Sequence, residues 1–177
     1  VVFAPHVETA SGMILPDDYL FAVADAVHSV GGLFVLDCVA SGTIWVDMEK
    51  SGIDILITAP QKGWSGSPCS GLGMLSSLAK ERIETTISTS YACDLLKWFK
   101  IMEAYENGGH AYHATMPTDS LRAFRNVMKE TENYGFEKAC AQQYELGDKV
   151  RALLKSNGIK SVAAEGFQAP GVIVSCT

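Results

Sequence analysis

Two short apolar runs, each followed closely by polar side chains, constrain the fold of this chain more than any other feature. Residues 33–36 are continuously apolar and are followed at once by Asp37. Residues 53–59 are almost continuously apolar and lead to Gln61 and Lys62. Strands that are buried on both faces of a parallel sheet have this uniform apolar character. The two runs therefore predict neighbouring strands of a mostly parallel sheet.

The segments around these runs predict helices that cover the faces of the sheet. Apolar residues recur at three- and four-residue steps from Leu20 to Val30, as in an amphipathic helix. Similar patterns predict helices over residues 78–84, 95–106, 118–131 and 137–156. A run at residues 71–76 is predicted to be an antiparallel strand, because the preceding linker has little room for a crossover helix. This order of elements predicts an α/β fold.

The last forty or so residues predict the start of a second unit. Residues 159–163 and 171–176 have strand character and follow the longest predicted helix. We therefore expect residues 1–134 to be part of one large domain. Residues 135–177 are expected to contain a linking helix and the beginning of a smaller C-terminal α/β domain.

Charge and cysteine content argue against several classes of protein. The chain has 14 Lys and Arg against 20 Asp and Glu, which gives a net charge of −6 and argues against nucleic-acid binding. No apolar run approaches the roughly 20 residues that span a bilayer, so we expect no membrane partner. The five cysteines are widely spaced without a CxxC pair. They predict free thiols in a reducing compartment such as the cytoplasm, and no metal site.

Residues 1–4 are a short apolar run that predicts the end of a third buried strand. Polar side chains follow these three predicted strands, at the sheet edge where ligands of parallel sheets bind. They are His6, Glu8, Thr9, Asp37, Gln61 and Lys62. A lysine in such a place can form a Schiff base with a carbonyl group, or it can be an ordinary surface lysine. An aspartate there can pair with a cationic ring nitrogen or cap a turn. A histidine can stack on a planar ligand or bind a neighbouring side chain. Position alone leaves these alternatives open.

Four motifs follow one another in a characteristic order. They are residues 6–12 (HVETASG), 36–41 (LDCVAS), 52–56 (GIDIL) leading to Gln61 and Lys62, and 112–117 (YHATMP). Together they resemble the class V aminotransferases, a branch of the fold-type I enzymes that use pyridoxal 5′-phosphate (PLP). The similarity covers almost the whole chain and is nearest to the alanine–glyoxylate, serine–pyruvate and 2-aminoethylphosphonate aminotransferases.

The resemblance implies a role for each matching residue. Lys62 would form the Schiff base with PLP and move the α-proton of the substrate. Asp37 would pair with the pyridinium nitrogen, and Val39 would pack against one face of the ring. Thr9 would lie near the ring oxygen, and Gln61 would contact the phosphate region. The implied reaction transfers an amino group from a small amino acid to a 2-oxo acid such as glyoxylate or pyruvate.

The resemblance also implies features beyond a single copy of this sequence. Tyr112 and Thr115 match residues that reach the phosphate of the neighbouring subunit's cofactor, so a homodimer with shared active sites is implied. From position alone, this segment before a Pro-led helix suits either a phosphate or simple helix capping. Other parts of the family pattern would lie before Val1 and after Thr177. We therefore expect the sequence to be a segment of a longer chain, which the intact mass of the gene product tests.

Two alternatives to a working aminotransferase remain. The first is another fold-type I PLP enzyme, such as a cysteine desulfurase or lyase. A desulfurase usually has a histidine two residues before the lysine, where this chain has Pro60. Pro60 also stands where the aminotransferases more often have serine, which puts one phosphate contact in doubt. The second alternative is an inactive fragment.

Overall fold

The structure, a computed structural model that describes residues 1–176, contains eight strands and six helices. The strands are β1 (Val2–Pro5), β2 (Val7–Glu8), β3 (Met13–Ile14), β4 (Phe34–Asp37), β5 (Ile55–Thr58), β6 (Leu72–Leu75), β7 (Lys160–Ser161) and β8 (Ser175–Cys176). The helices are α1 (Asp17–Ser29), α2 (Met48–Ser51), α3 (Ser77–Glu84), α4 (Leu95–Glu106), α5 (Thr118–Tyr134) and α6 (Phe136–Ser156). None of these helices is long and apolar enough to cross a membrane.

The central sheet has four strands in the order β1–β4–β5–β6. The first three are parallel, and β6 runs antiparallel to β5. The predicted α/β fold with a parallel core and one antiparallel strand is therefore confirmed. The register sets Asp37 beside Pro5 on one side and Ile57 on the other. The carboxyl ends of three strands consequently meet at one edge.

Helix α1 packs on one face of this sheet. The buried cluster between them consists of Leu20, Ala24, Val27, Phe34, Leu36, Cys38, Ile53 and Leu56. Alternate residues of a strand point to the same face, so Phe34 and Leu36 face α1. Val35 and Asp37 alternate with them and therefore face the other side. Asp37 therefore lies on the face of the sheet away from α1.

A buried carboxylate connects several elements at the amino end of β5. Asp54 is buried just before β5 and accepts hydrogen bonds from Phe34 N–H (2.8 Å) and Ser76 Oγ (3.0 Å). His28 Nε2, at the end of α1, lies 2.8 Å from the same carboxylate. One side chain therefore joins α1, β4, β5 and the residue after β6. Removing a buried carboxylate of this kind costs stability, because each of its partners is left without a hydrogen-bond acceptor.

Replacing Asp54 with alanine is expected to lower the free energy of unfolding by about 2–3 kcal/mol, because three partner groups lose their acceptor. Urea denaturation of the full-length protein measures this. Asp25→Ala is the matched control, since Asp25 lies exposed on α1. We expect the control to change stability by less than about 0.5 kcal/mol. Equal stability of the two variants would contradict the role given to Asp54.

The sequence patterns missed two small elements and predicted two other strands to be longer than they are. The hairpin β2–β3 has only two residues in each strand and turns through Gly12 at φ 72°. Helix α2 is a single turn that begins at its N-cap Asp47, too short for a recognisable period. β7 and β8 have two residues each, shorter than the predicted runs. Thr177, the last residue of the predicted second domain, lies outside the described residues.

Residues near the end of the chain extend the first hairpin. Ile14 N–H donates to the carbonyl of Phe167 (2.8 Å), and Ala169 N–H donates to the carbonyl of Gly12 (2.8 Å). An added Cβ on Gly12 would lie 2.9 Å from the carbonyl oxygen of Val172, which leaves no room for a side chain there. The C-terminal segment therefore contacts the loop that carries Thr9.

Candidate active site

Three loops at the carboxyl edge of the sheet carry the candidate residues. The first runs from β1 into the β2–β3 hairpin and carries Thr9. The second follows β4 and carries Val39 just beyond Asp37. The third follows β5 and carries Gln61 and Lys62. Because the three strands are adjacent and parallel, these loops lie side by side where ligands of such sheets bind.

Asp37 combines the two roles that its position left open. Its Oδ1 accepts a hydrogen bond from Val39 N–H at 2.8 Å, which is a turn cap. Its Oδ2 has no hydrogen-bond partner among residues 1–176. The side chain is half-buried. One oxygen is thus fixed by the turn, and the other is free to accept a proton-bearing group of a ligand.

A glutamate shapes the first loop. The carboxylate of Glu8 accepts hydrogen bonds from Ala10 N–H (2.9 Å) and Ser11 N–H (2.7 Å). Hydrogen bonding by Ser11, and then by Ala10, lowers the pKa of Glu8. The charged carboxylate therefore closes the turn at neutral pH. Thr9 stands exposed in this turn, and no residue from 1 to 176 hydrogen-bonds to its hydroxyl.

The third loop turns sharply around Lys62. Ser65 N–H donates to the carbonyl of Lys62 (2.9 Å), and Gly66 N–H donates to the carbonyl of Pro60 (2.8 Å). Pro60 is buried beneath the turn, while Gln61 and Lys62 are exposed. Within the described chain, neither exposed side chain has a hydrogen bond or an ion pair. The lysine amine is therefore available to a ligand.

A buried group of three side chains lies beside Asp37. His6 Nδ1 is 2.8 Å from Ser41 Oγ, and Cys38 Sγ is 3.9 Å from the same nitrogen. Of the two roles considered for His6, this contact favours binding to a neighbouring side chain. Burial lowers the pKa of His6, although the charge of Asp17 opposes the shift. His6 N–H also donates to the Asp37 carbonyl (2.9 Å), which joins the first two loops.

Cys38 is expected to be almost unreactive in the folded protein, because burial raises its pKa to about 12. Thiolate is the reactive form, so alkylation by iodoacetamide at pH 8 should be at least ~100-fold slower in the folded full-length protein than in urea. Mass spectrometry of the labelled peptide gives both rates. Similar rates in the two conditions would show that the thiol is accessible and ionised, contrary to this structure.

Tyr112 and Thr115 belong to the segment that precedes α5. The Tyr112 hydroxyl is 3.0 Å from Thr115 Oγ1, and both residues are exposed. Between them His113 is buried, with its Nε2 2.8 Å from the carbonyl of Tyr91. No hydrogen bond or ion pair in residues 1–176 joins this pair to Asp37 or Lys62. Within the described chain, this pair is therefore not joined to the other predicted site residues by hydrogen bonds or ion pairs.

Four polar groups at the carboxyl edge of the sheet have no hydrogen-bond partner within the described chain. They are the Thr9 hydroxyl, Asp37 Oδ2, the Gln61 amide and Lys62 Nζ. An amine can hold a carbonyl compound covalently, and an acid can hold a protonated ring nitrogen. Such a set suits a planar cofactor that carries both groups. The fold and this edge together therefore suit an α/β protein that binds PLP.

Comparison with known proteins identifies the family. The sequence pattern of the family Aminotransferase class-V matches residues 1–176, so the chain belongs to the class V aminotransferases. Membership of this family implies PLP as the cofactor.

Individual relatives agree with this assignment. The chain is 29% identical over 168 residues to 2-aminoethylphosphonate–pyruvate transaminase of Syntrophobacter fumaroxidans, which covers 93% of this chain and 43% of that protein. It is 28% identical over 164 residues to alanine–glyoxylate aminotransferase of Felis catus, which covers 90% of this chain and 38% of that protein. The crystal structure of alanine–glyoxylate aminotransferase from Nostoc sp. superposes with a TM-score of 0.85 at 20% identity, over 99% of this chain and 45% of that one. The last similarity shows the fold alone.

The chain spans less than half the length of these relatives. The family match over residues 1–176 includes all four sequence motifs. The activity of the whole protein, its substrates and its partners therefore belong to the proposals below.

Proposed function

We propose that the full-length protein is a PLP-dependent aminotransferase that transfers an amino group from a small amino acid to a 2-oxo acid. The observation that carries this proposal is the set of unpaired polar groups at the carboxyl edge of β1, β4 and β5. Family membership agrees with it, because this family comprises aminotransferases. We also propose that residues 1–134 are part of a cofactor domain and that residues 135–177 are the beginning of a smaller domain.

The residues at this edge have the chemistry that PLP requires. When bound, PLP supplies an electron-withdrawing ring that stabilises negative charge on the α-carbon of the substrate. Asp37 Oδ2 would accept the hydrogen bond of the ring nitrogen and keep that nitrogen protonated. Val39 would pack against the ring, and the Thr9 hydroxyl would contact the ring oxygen. The Gln61 amide would donate to the phosphate.

Lys62 would act twice through the same atom. Its Nζ would first attach the cofactor covalently, which holds the ring at this edge. After the substrate amine displaces it, the free Nζ would take the proton from the α-carbon and return it to the cofactor side. The absence of an ion pair at Lys62 within the described chain supports this role, because a paired ammonium could not move freely between these positions.

We also propose a homodimer with shared active sites, to which Tyr112 and Thr115 contribute across the subunit boundary. Large apolar side chains stand exposed in the same part of the chain, including Ile87 (95%), Tyr91 (66%) and Tyr105 (57%). Exposed apolar side chains of this size are typical of a protein interface where they adjoin one another. The two hydroxyls beside it would then face the cofactor of the second copy. The five free thiols support the cytoplasm as the compartment.

A screen of donors and acceptors on the purified full-length protein tests the proposed reaction. Alanine, serine, 2-aminoethylphosphonate and ureidoglycine are the donors, with glyoxylate or pyruvate as acceptor. We expect amino transfer from at least one donor, with 2-aminoethylphosphonate and alanine favoured because relatives carry those names. Cysteine is included to detect a desulfurase. Release of sulfide without any amino transfer would overturn the proposal, and so would the absence of any turnover.

A further inference from the structure

The loop that carries Lys62 packs against the loop after β4 through two glycines. An added Cβ on Gly63 would lie 1.8 Å from the carbonyl oxygen of Gly42, a distance that no pair of such atoms tolerates. The two backbones are therefore in direct contact. Gly63 follows Lys62 immediately, so a movement of the turn at Gly42 would be passed on to the lysine.

A side chain from α6 holds the turn at Gly42. Gln143 Oε1 accepts hydrogen bonds from Thr43 N–H (2.9 Å) and from the Thr43 hydroxyl (3.1 Å). Its Nε2 donates to the carbonyl of Ser41 at 3.4 Å. A Cβ on Gly42 would lie 2.4 Å from Gln143 Oε1, so the carboxamide lies directly against the turn. One amide thus binds the residues on both sides of Gly42.

Aromatic side chains attach the same two loops to α6 at a second place. Trp64, two residues after Lys62, packs against Trp45 with ring centroids 4.8 Å apart. Trp45 packs in turn against Phe136, the first residue of α6, at 5.1 Å. Trp45 Nε1 also donates to the carbonyl of Phe136 (3.0 Å). Helix α6 is therefore connected to the lysine loop by both polar and apolar contacts.

From these contacts we propose that Gln143 is a positioning residue for Lys62, acting through the Gly42–Gly63 contact. The inference rests on the proposed function of Lys62. The carboxamide is suited to the role because it accepts and donates at once, which fixes the turn in one orientation. Ser41 also binds His6, so the same turn is fixed from the sheet side. Loss of the Gln143 contacts would leave the turn at Gly42 with the Ser41–His6 contact and the contact of the Thr43 hydroxyl with the Ala139 carbonyl (3.1 Å).

Gln143→Leu in the full-length protein tests this proposal, with Gln142→Leu as the matched control. Gln142 is the preceding residue of α6 and is exposed; its Oε1 accepts from Tyr134 and it does not contact the turn. Two properties are measured: the dissociation constant of PLP, and the rate at which formaldehyde and cyanoborohydride methylate Lys62 in the cofactor-free protein. We also follow the pH midpoint of the bound cofactor's absorbance, which a general loss of stability would not move.

We expect Gln143→Leu to weaken PLP binding roughly tenfold, the size expected for loss of buried hydrogen bonds, and to change both the methylation rate and the pH midpoint. Gln143→Glu retains the acceptor for Thr43 and should have an intermediate effect. Gln142→Leu should stay within about twofold of the wild type in each measurement. If Gln143→Leu does not fold, Thr43→Val removes the hydroxyl that contacts both Gln143 Oε1 and the Ala139 carbonyl, and should weaken binding about threefold.

The failure of this inference is distinguishable from the failure of the proposed function. If Lys62→Ala changes the cofactor's absorbance but Gln143→Leu behaves like Gln142→Leu, the positioning role of Gln143 is wrong. An unchanged Thr43→Val variant, where Gln143→Leu cannot be purified, leads to the same conclusion. If Lys62→Ala binds PLP as the wild type does, the proposed function itself is wrong.

Discussion

Replacing Lys62 with alanine should lower the rate of amino transfer by the full-length protein at least ~10³-fold, because one change removes the covalent attachment and the group that moves the proton. The absorbance of the bound cofactor should change with it, since PLP can then bind only non-covalently. Single-turnover assays with a saturating donor measure the rate of proton transfer. Absorbance spectra of the purified protein report the state of the cofactor.

Lys50→Ala is the control for the loss of a positive charge. Lys50 is exposed in α2, and its side chain has no ion pair in the described chain. We expect the control to retain the activity and the spectrum of the wild type. A Lys62→Ala protein with more than a tenth of the wild-type rate would contradict the assignment of this lysine.

Asp37→Asn should reduce the rate about 10³-fold, equivalent to about 4 kcal/mol of transition-state stabilisation. The asparagine oxygen can still accept the hydrogen bond of Val39 N–H, so the turn after β4 should persist. The amide lacks the negative charge that keeps the ring nitrogen protonated, and the cofactor then withdraws electrons less strongly. The expected result is a folded protein that binds PLP and transfers amino groups slowly.

Asp47→Asn is the matched control for this substitution. Asp47 caps α2 by accepting from Lys50 N–H at 3.1 Å, and asparagine is an equally good N-cap. Rates for the control should equal those of the wild type, and circular dichroism spectra of both variants should be unchanged. An Asp37→Asn protein with the wild-type rate would show that the free Oδ2 has no part in the reaction.

The two inner strands of the sheet were predictable because β4 is buried on both faces and β5 is buried or half-buried along its length. The sequence runs that form β4 and β5 do not alternate between apolar and polar residues. A strand buried on both faces has such a continuous apolar run. The antiparallel course of β6 was predictable from the linker after Lys62, which contains no helix in the structure. Each prediction depended on a pattern within a few neighbouring residues. The boundaries of α3 and α4 agree with the sequence periodicity to within a residue at each end.

The contacts that surround the candidate site were not predictable in this way. Gln143 contacts Thr43 across 100 positions of sequence, and nothing in the pattern of α6 distinguishes it from Gln142. The exact packing of Gly42 on Gly63 likewise depends on how two loops meet in space. The roles of Asp37 and Lys62 were suggested by their positions at strand ends, but position alone left commoner roles open. Only the resemblance to a known family favoured the cofactor roles, which stay predictions.

The most direct test of the central proposal is to identify the residue that holds the cofactor. The purified full-length protein is loaded with PLP, reduced with borohydride to make the attachment permanent, and digested for peptide mass spectrometry. The predicted result is a pyridoxyl group on Lys62 and on no other lysine of the chain. Modification of a different lysine, or no modification of a protein that has bound PLP, would contradict the proposed active site.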